Sequence, residues 1–192
     1  MAGTVHWVRS TRARALIATA LGACLLLGGA VVAVDRLHPT PADVLDHPAD
    51  PVTDEQSAAQ VIESAKQIVT VTGLRTTSAG YTLMSCKDRD DPPYQGAIYL
   101  TFVVPDPGRA DAYFPAIAAA LVEHGWTEAH TPDDRTLAET LSKDAVTARV
   151  SRQGDDPGLG VLRIYGQCRN IKDHRKDAAS WVDITDQLPR AG

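Results

Sequence analysis

The chain has 192 residues, of which 44% are hydrophobic and 22% charged, and its formal net charge is −5 at pH 7. Three of the 19 basic residues and none of the 24 acidic residues lie in residues 1–34, so 16 basic and 24 acidic side chains remain, a net charge of −8. Residues 35–192 therefore carry a net negative charge, which would repel the phosphates of nucleic acid. This composition excludes nucleic acid as the expected ligand.

An uncharged run occupies residues 15–34, after Arg9, Arg12 and Arg14 and before Asp35 and Arg36. As a helix, this run is about 30 Å long, which matches the hydrocarbon core of a bilayer. The denser basic flank predicts a cytoplasmic N-terminus over residues 1–14. We therefore predict a single-pass signal-anchor helix in the cell membrane, with everything beyond it extracytoplasmic.

A second interpretation of the same run is a lipoprotein signal. The residues Leu21-Gly22-Ala23-Cys24 approximate a lipobox, in which the cysteine is lipidated and becomes the mature N-terminus. However, the apolar run continues for ten residues beyond Cys24, which favours a segment that stays in the membrane. The retained helix is our preferred prediction, and lipidation of Cys24 is the alternative.

Residues 35–52 predict a tether between the membrane and a folded domain. Pro39, Pro41, Pro48 and Pro51 recur there in a polar setting, which favours extended and semi-rigid chain. The remaining residues, 53–192, are of a size expected for one domain with a real hydrophobic core.

Two helices are predicted in this domain. Thr53 and Gln56 form a capping-box pattern before apolar residues at helical spacing, and Gly73 is the expected end of that helix. A second helix is predicted over residues 111–124, with Gly125 after its last residue.

Alternating apolar residues and short turns predict strands in the rest of the domain. The predicted strands cover residues 81–86, 97–104, 126–130, 136–142, 145–152 and 161–168. Neighbouring strands joined by short turns are antiparallel, and helices alternate with groups of strands. We therefore predict an α+β fold, with one mostly antiparallel sheet and both helices on one face.

Two cysteines, Cys86 and Cys168, lie at the ends of predicted strands. In an extracytoplasmic domain such a pair is usually oxidised, so we predict a disulfide between them. A zinc site is less favoured, since the chain has no C-x-x-C and His174 is the nearest histidine in sequence.

Several stretches resemble a known group of proteins. They are M-S-C-K-D at 84–88, D-P-P-Y-Q-G at 91–96, Y-G-Q-C-R-N at 165–170, D-H at 173–174 and W-V-D-I-T at 181–185. Over roughly residues 53–188 the chain resembles small mycobacterial envelope proteins, including lipoproteins of the LppJ kind. The resemblance implies a membrane-attached, extracytoplasmic actinobacterial protein that shares the two cysteines, without an assigned activity and without functional residues to transfer.

No motif for hydrolase, zinc-protease, phosphate-loop or dinucleotide chemistry is present, so we predict neither a cofactor nor a metal. Our first hypothesis is a non-catalytic module that binds an envelope protein, glycan or lipid. The alternatives are a small hydrolase with a site built from loops, and a structural subunit of a membrane complex that packs through its anchor helix.

One candidate ligand site follows from the predicted disulfide, because a charged loop follows each cysteine and the bridge would make these loops neighbours. Its expected polar and basic groups are Asp88, Arg89, Asp90, Arg169, Asn170, Asp173 and His174. The carboxylates and the imidazole could bind a cation, and the arginines could bind a carboxylate or phosphate. The competing hypothesis is that these side chains only pair with one another.

Overall fold

The protein is described from a computed structural model, which covers residues 45–87, 91–129, 138–177 and 181–190. The predicted cytoplasmic segment, the predicted anchor helix and Cys24 lie outside these residues. Within the described ranges, none of the helices has the length and apolarity needed to cross a bilayer.

The predicted α+β fold is confirmed. Within the described residues of the predicted domain, 53–192, the helices are α1, Asp54–Thr72, and α2, Ala110–Glu123. The strands are β1 Thr76–Ser85, β2 Tyr94–Val103, β3 Thr127–Glu128, β4 Ala138–Lys143, β5 Val146–Arg152, β6 Leu159–Tyr165 and β7 Val182–Asp183. Single 3₁₀ turns at Pro107–Arg109 and Thr185–Gln187 precede α2 and follow β7.

All these strands belong to one sheet, in the order β3-β4-β5-β6-β2-β1-β7. Every neighbouring pair is antiparallel, as predicted. The central strands β2 and β6 are far apart in the chain but pair over the whole length of β6, from Ala97↔Tyr165 to Val103↔Leu159. This pairing places the first and second halves of the domain sequence side by side.

Both helices pack on one face of the sheet, where they build a single core. On β2, Phe102 contacts Phe114 of α2 with ring centroids 6.5 Å apart. Gly96 lies on the same face of β2, beneath α1, so closely that a Cβ there would lie 2.5 Å from the carbonyl oxygen of Ser57. Because side chains alternate along a strand, these two contacts put α1 and α2 on one side.

Helix α1 has the predicted ends. The side chain of Thr53 accepts a hydrogen bond from the Gln56 N–H, and the Gln56 side chain accepts one from the Thr53 N–H. This reciprocal capping satisfies two backbone donors at the N-terminus. The helix ends at Gly73, whose N–H donates to the carbonyl of Val69.

Several strand boundaries differ from the prediction. Strand β1 begins at Thr76, five residues early, because pairing with β2 extends through a polar segment without apolar alternation. Strand β6 ends at Tyr165, since the chain turns after Gly166 to carry Cys168 to its partner cysteine. Strand β7 is absent from the prediction, because its two residues carry no periodicity.

Candidate functional site

The structure joins the two cysteines after which the predicted loops begin. Cys86 and Cys168 form the predicted disulfide, with their Cα atoms 6.0 Å apart. Tyr94, at the start of β2, exchanges backbone hydrogen bonds with Asn170 in the second loop. These bonds fix the position of the second loop, which contains Arg169, Asn170, Asp173 and His174.

Asp54, the first residue of α1, lies at the centre of a group of polar side chains beside the disulfide, although it is not among the predicted site residues. We name this group the polar cluster; its members are Asp54, Arg169, Asn170, Lys172, Asp173, His174, Arg175 and Asp177. Its carboxylate accepts hydrogen bonds from Asn170, at 2.7 Å, and from Lys172. Burial raises the pKa of Asp54, but the hydrogen bonds from Lys172 and Asn170 and the charge of His174 outweigh it and lower this pKa below its usual value. The negative charge also lies at the positive end of the dipole of α1.

His174 is enclosed by two carboxylates and an aromatic ring. Its Nε2 lies 3.0 Å from Asp54 and its Nδ1 2.6 Å from Asp177, while only 6% of its side chain is exposed. Its ring meets the ring of Tyr94 edge-on, with centroids 4.9 Å apart. Both ring nitrogens are therefore occupied by contacts within the protein.

The other described members of the predicted site are also paired internally. The guanidinium of Arg169 donates to the carbonyl of Asp50 and to the side chain of Gln167. The Asp173 carboxylate accepts from Arg175, which holds the pKa of Asp173 well below its usual range. Asp88, Arg89 and Asp90 lie outside the described residues.

These contacts assign the polar cluster a structural role. It attaches residues 45–52 and the start of α1 to the loop after β6, through Arg169 and the hydrogen bond from the Val52 N–H to the Arg169 carbonyl. Among the described residues, no group of three or more histidine, cysteine, aspartate or glutamate side chains is arranged to hold a metal ion. Ligand binding by the predicted cluster stays a prediction.

A second candidate site lies on the side of the sheet opposite the helices, which we name the open face. Residues in register on neighbouring strands point to the same side of a sheet. One such row crosses five strands, from β5 to β7: Arg149, Arg163, Tyr99, Gly80 and Asp183.

An aromatic groove forms part of the open face. Trp181, which is 51% exposed, lies directly over Gly80, where an added Cβ would be 3.2 Å from its ring. The rings of Trp181 and Tyr99 stand at 64° to each other with centroids 6.3 Å apart. The groove has a volume of about 440 Å³ and is lined by Ser78, Ala79, Gly80, Tyr99, Trp181 and Asp183.

Two arginines adjoin the aromatic groove on the open face. Arg149 and Arg163 are directly opposite each other on β5 and β6. The guanidinium of Arg163 lies over the ring of Tyr99, 5.6 Å from its centroid, which is a cation–π geometry. In the described part of the chain neither arginine forms an ion pair with a carboxylate.

One carboxylate lines the far end of the groove. Asp183 accepts a hydrogen bond from the Thr185 N–H at 2.8 Å. Hydrogen bonds from the backbone and side chain of Thr185 lower the pKa of Asp183, so this group is ionised near neutral pH. The open face thus carries a negative charge at one end and two positive charges beyond the aromatic rings.

Sequence reasoning missed the open face, although it contained two signals. Tyr99 interrupts the expected polar side of β2, and Trp181 lies in the W-V-D-I-T stretch that carries part of the resemblance. Neither signal places these rings together, because β7 pairs with a strand about a hundred residues earlier in the chain.

The fold and this site define a small α+β domain with one sheet face covered by helices and the other exposing aromatic and basic side chains. The family described as "Putative lipoprotein LppJ" matches residues 53–187. The chain therefore belongs to the LppJ family.

Curated relatives match over nearly the whole chain. Proteins named "Putative lipoprotein LppJ" from Mycobacterium bovis and from two strains of Mycobacterium tuberculosis are each 38% identical to it over 182 residues, which is 94% of either chain. No solved structure matches this chain significantly.

Proposed function

We propose that this protein is a membrane-attached, extracytoplasmic binding domain without catalytic activity, and that the open face is its ligand-binding surface. The observation that carries the proposal is the exposed ring of Trp181 in the aromatic groove. Aromatic rings contribute large apolar areas to interfaces, and an exposed ring in a concave site is typical of a binding surface.

The chemistry of the aromatic groove supports binding rather than catalysis. Among the described residues that line it, the one acid is Asp183, which has a lowered pKa and already accepts a hydrogen bond from Thr185. A general acid or base works best with a pKa near the operating pH, which this carboxylate does not have. The hydroxyl of Ser78 contacts that of Thr101 at 2.7 Å, and no described base activates it as a nucleophile.

Membrane attachment is supported by the uncharged run over residues 15–34 and by the name of the relatives. We propose the retained helix as its form, because ten further apolar residues follow Cys24. Intact mass of the membrane-extracted protein tests this proposal. We expect residues 1–23 to be present; their loss together with added acyl mass on Cys24 would establish the lipoprotein form instead.

The binding role is tested by sedimentation with the insoluble cell-envelope fraction of the source bacterium. Full-length protein in detergent should sediment with this fraction, and Trp181→Ala should abolish the association. Val182→Ala is the matched control, since Val182 is the next residue along the chain and is 56% exposed. If Trp181→Ala sediments as well as the wild type does, the open face is not the binding surface.

A further inference from the structure

We infer that the ligand of the open face is an acidic carbohydrate, whose sugar rings stack in the aromatic groove and whose carboxylates pair with Arg149 and Arg163. This inference rests on the proposed function, because it names the ligand of the same surface.

The arginine pair is the first argument. Like charges directly opposite each other on antiparallel strands destabilise a sheet. The repulsion between the guanidinium groups of Arg149 and Arg163 therefore needs an attractive interaction to offset it. Here the neighbouring positions of the same face are uncharged in both strands: Thr147, Ser151, Val161 and Tyr165. The two guanidinium groups thus present donors that no described carboxylate uses, in a domain that is acidic overall. A bound anion would relieve this repulsion and could form bidentate hydrogen bonds.

The second argument is the shape and chemistry of the aromatic groove. The rings of Tyr99 and Trp181 offer apolar surface against which the C–H face of a sugar ring can pack. Polar groups lie around these rings: the Ser78 hydroxyl and the Asp183 carboxylate can hydrogen-bond sugar hydroxyls. Apolar walls with polar groups at the rim fit a carbohydrate better than a purely apolar ligand.

The third argument is the order of these groups along one line. The row runs from Asp183 through Gly80 and Tyr99 to Arg163 and Arg149. At about 4.8 Å between neighbouring strands, the distance from Gly80 to Arg149 is roughly 14 Å. An extended ligand is required to contact both the Trp181 ring and the Arg149 side chain, so we infer an oligosaccharide rather than a single sugar.

Calorimetric titration of the full-length protein in detergent tests this inference. The probes are an oligomer of galacturonic acid and its methyl ester, which has the same sugar and length but no charge. We expect the acid to bind and the ester to bind at least roughly tenfold more weakly, since hydrogen bonds between charged groups are lost. Arg149→Gln and Arg163→Gln should each weaken binding of the acid by roughly tenfold, whereas Trp181→Ala should weaken both probes.

Arg190→Gln is the matched control, because Arg190 is exposed, pairs with Asp186 and belongs neither to the row nor to the lining of the groove; it should bind like the wild type. Equal binding of acid and ester, or unchanged affinity in both open-face arginine variants, would overturn the inference. If envelope sedimentation depends on Trp181 but neither probe binds, the proposed function stands and the acidic carbohydrate is wrong. If light scattering shows a dimer that Trp181→Ala dissociates, the occupant of the open face is a second copy of this chain. That result would also overturn the inference.

Discussion

Asp54 shows how one side chain combines several local preferences. It is the first residue of α1, directly after the capping Thr53, and its carboxylate accepts hydrogen bonds from Asn170 and Lys172 and contacts His174. Asn170 is fully buried, so the loss of this acceptor would leave an amide donor without a partner. This residue links the start of the helix to a loop more than a hundred positions later.

We expect Asp54→Asn to lower the free energy of unfolding by about 1–3 kcal/mol near neutral pH, because the amide keeps an oxygen for Asn170 but loses the negative charge that pairs with Lys172 at the positive end of the α1 dipole. The pKa of Asp54 is lowered in the folded state, so its contribution is present above the ordinary carboxyl pKa of 3.8 and is lost as the pH falls through the lower folded value. The difference between wild type and variant should therefore shrink in acid. Urea unfolding over a pH series measures it.

Glu63→Gln is the control for this prediction, because Glu63 is an exposed acid on the same helix that pairs only with Lys66 among the described residues. It should change stability by less than about 0.5 kcal/mol. If Asp54→Asn is equally harmless, the polar cluster does not stabilise the fold.

At the level of secondary-structure elements, the turn between β4 and β5 contains an alanine at a position whose backbone conformation favours glycine. The sequence predicts the turn at Lys143 and Asp144, but the structure places it one residue later, at Asp144 and Ala145. Both residues have positive φ, 49° and 58°. A two-residue hairpin turn with this geometry favours Asp-Gly, and alanine there is strained by its Cβ.

We expect Ala145→Gly to raise the free energy of unfolding by about 0.5–1 kcal/mol, since glycine adopts the left-handed region without that strain. Thermal unfolding should show a higher Tm. Ala119→Gly, at an exposed position inside α2, is the matched control and should lower stability by about 1 kcal/mol. A lower Tm for Ala145→Gly would show that the turn is not strained.

At the level of the whole molecule, the disulfide between Cys86 and Cys168 closes a loop across most of the domain, with a sequence separation of 82. It lies beside the backbone bridge between Tyr94 and Asn170. Covalent and polar contacts thus hold the same end of the sheet, whereas the residues that the structure describes place no comparable cover on the open face.

We expect the double variant Cys86→Ser and Cys168→Ser to lose about 2–4 kcal/mol of unfolding free energy, because the unfolded chain is no longer constrained. Denaturant titration of both proteins measures this loss, and non-reducing peptide mapping should recover the two cysteines in one linked pair. Cys24→Ser serves as the control and should leave the stability of the domain unchanged. An unaltered midpoint in the double variant would contradict the stabilising role.

The sequence alone determined α1 and its two ends, the α+β fold, the antiparallel sheet and the disulfide, because capping, periodicity, short turns and cysteine pairing are local or nearly local signals. The tertiary structure decided which polar groups are already paired, such as His174 with Asp54, since these partners lie about 120 positions apart. It also decided the open face. Strand register places Arg149 beside Arg163, and the two-residue strand β7 brings Trp181 over Gly80. Neither contact produces a periodic pattern of residues in the sequence.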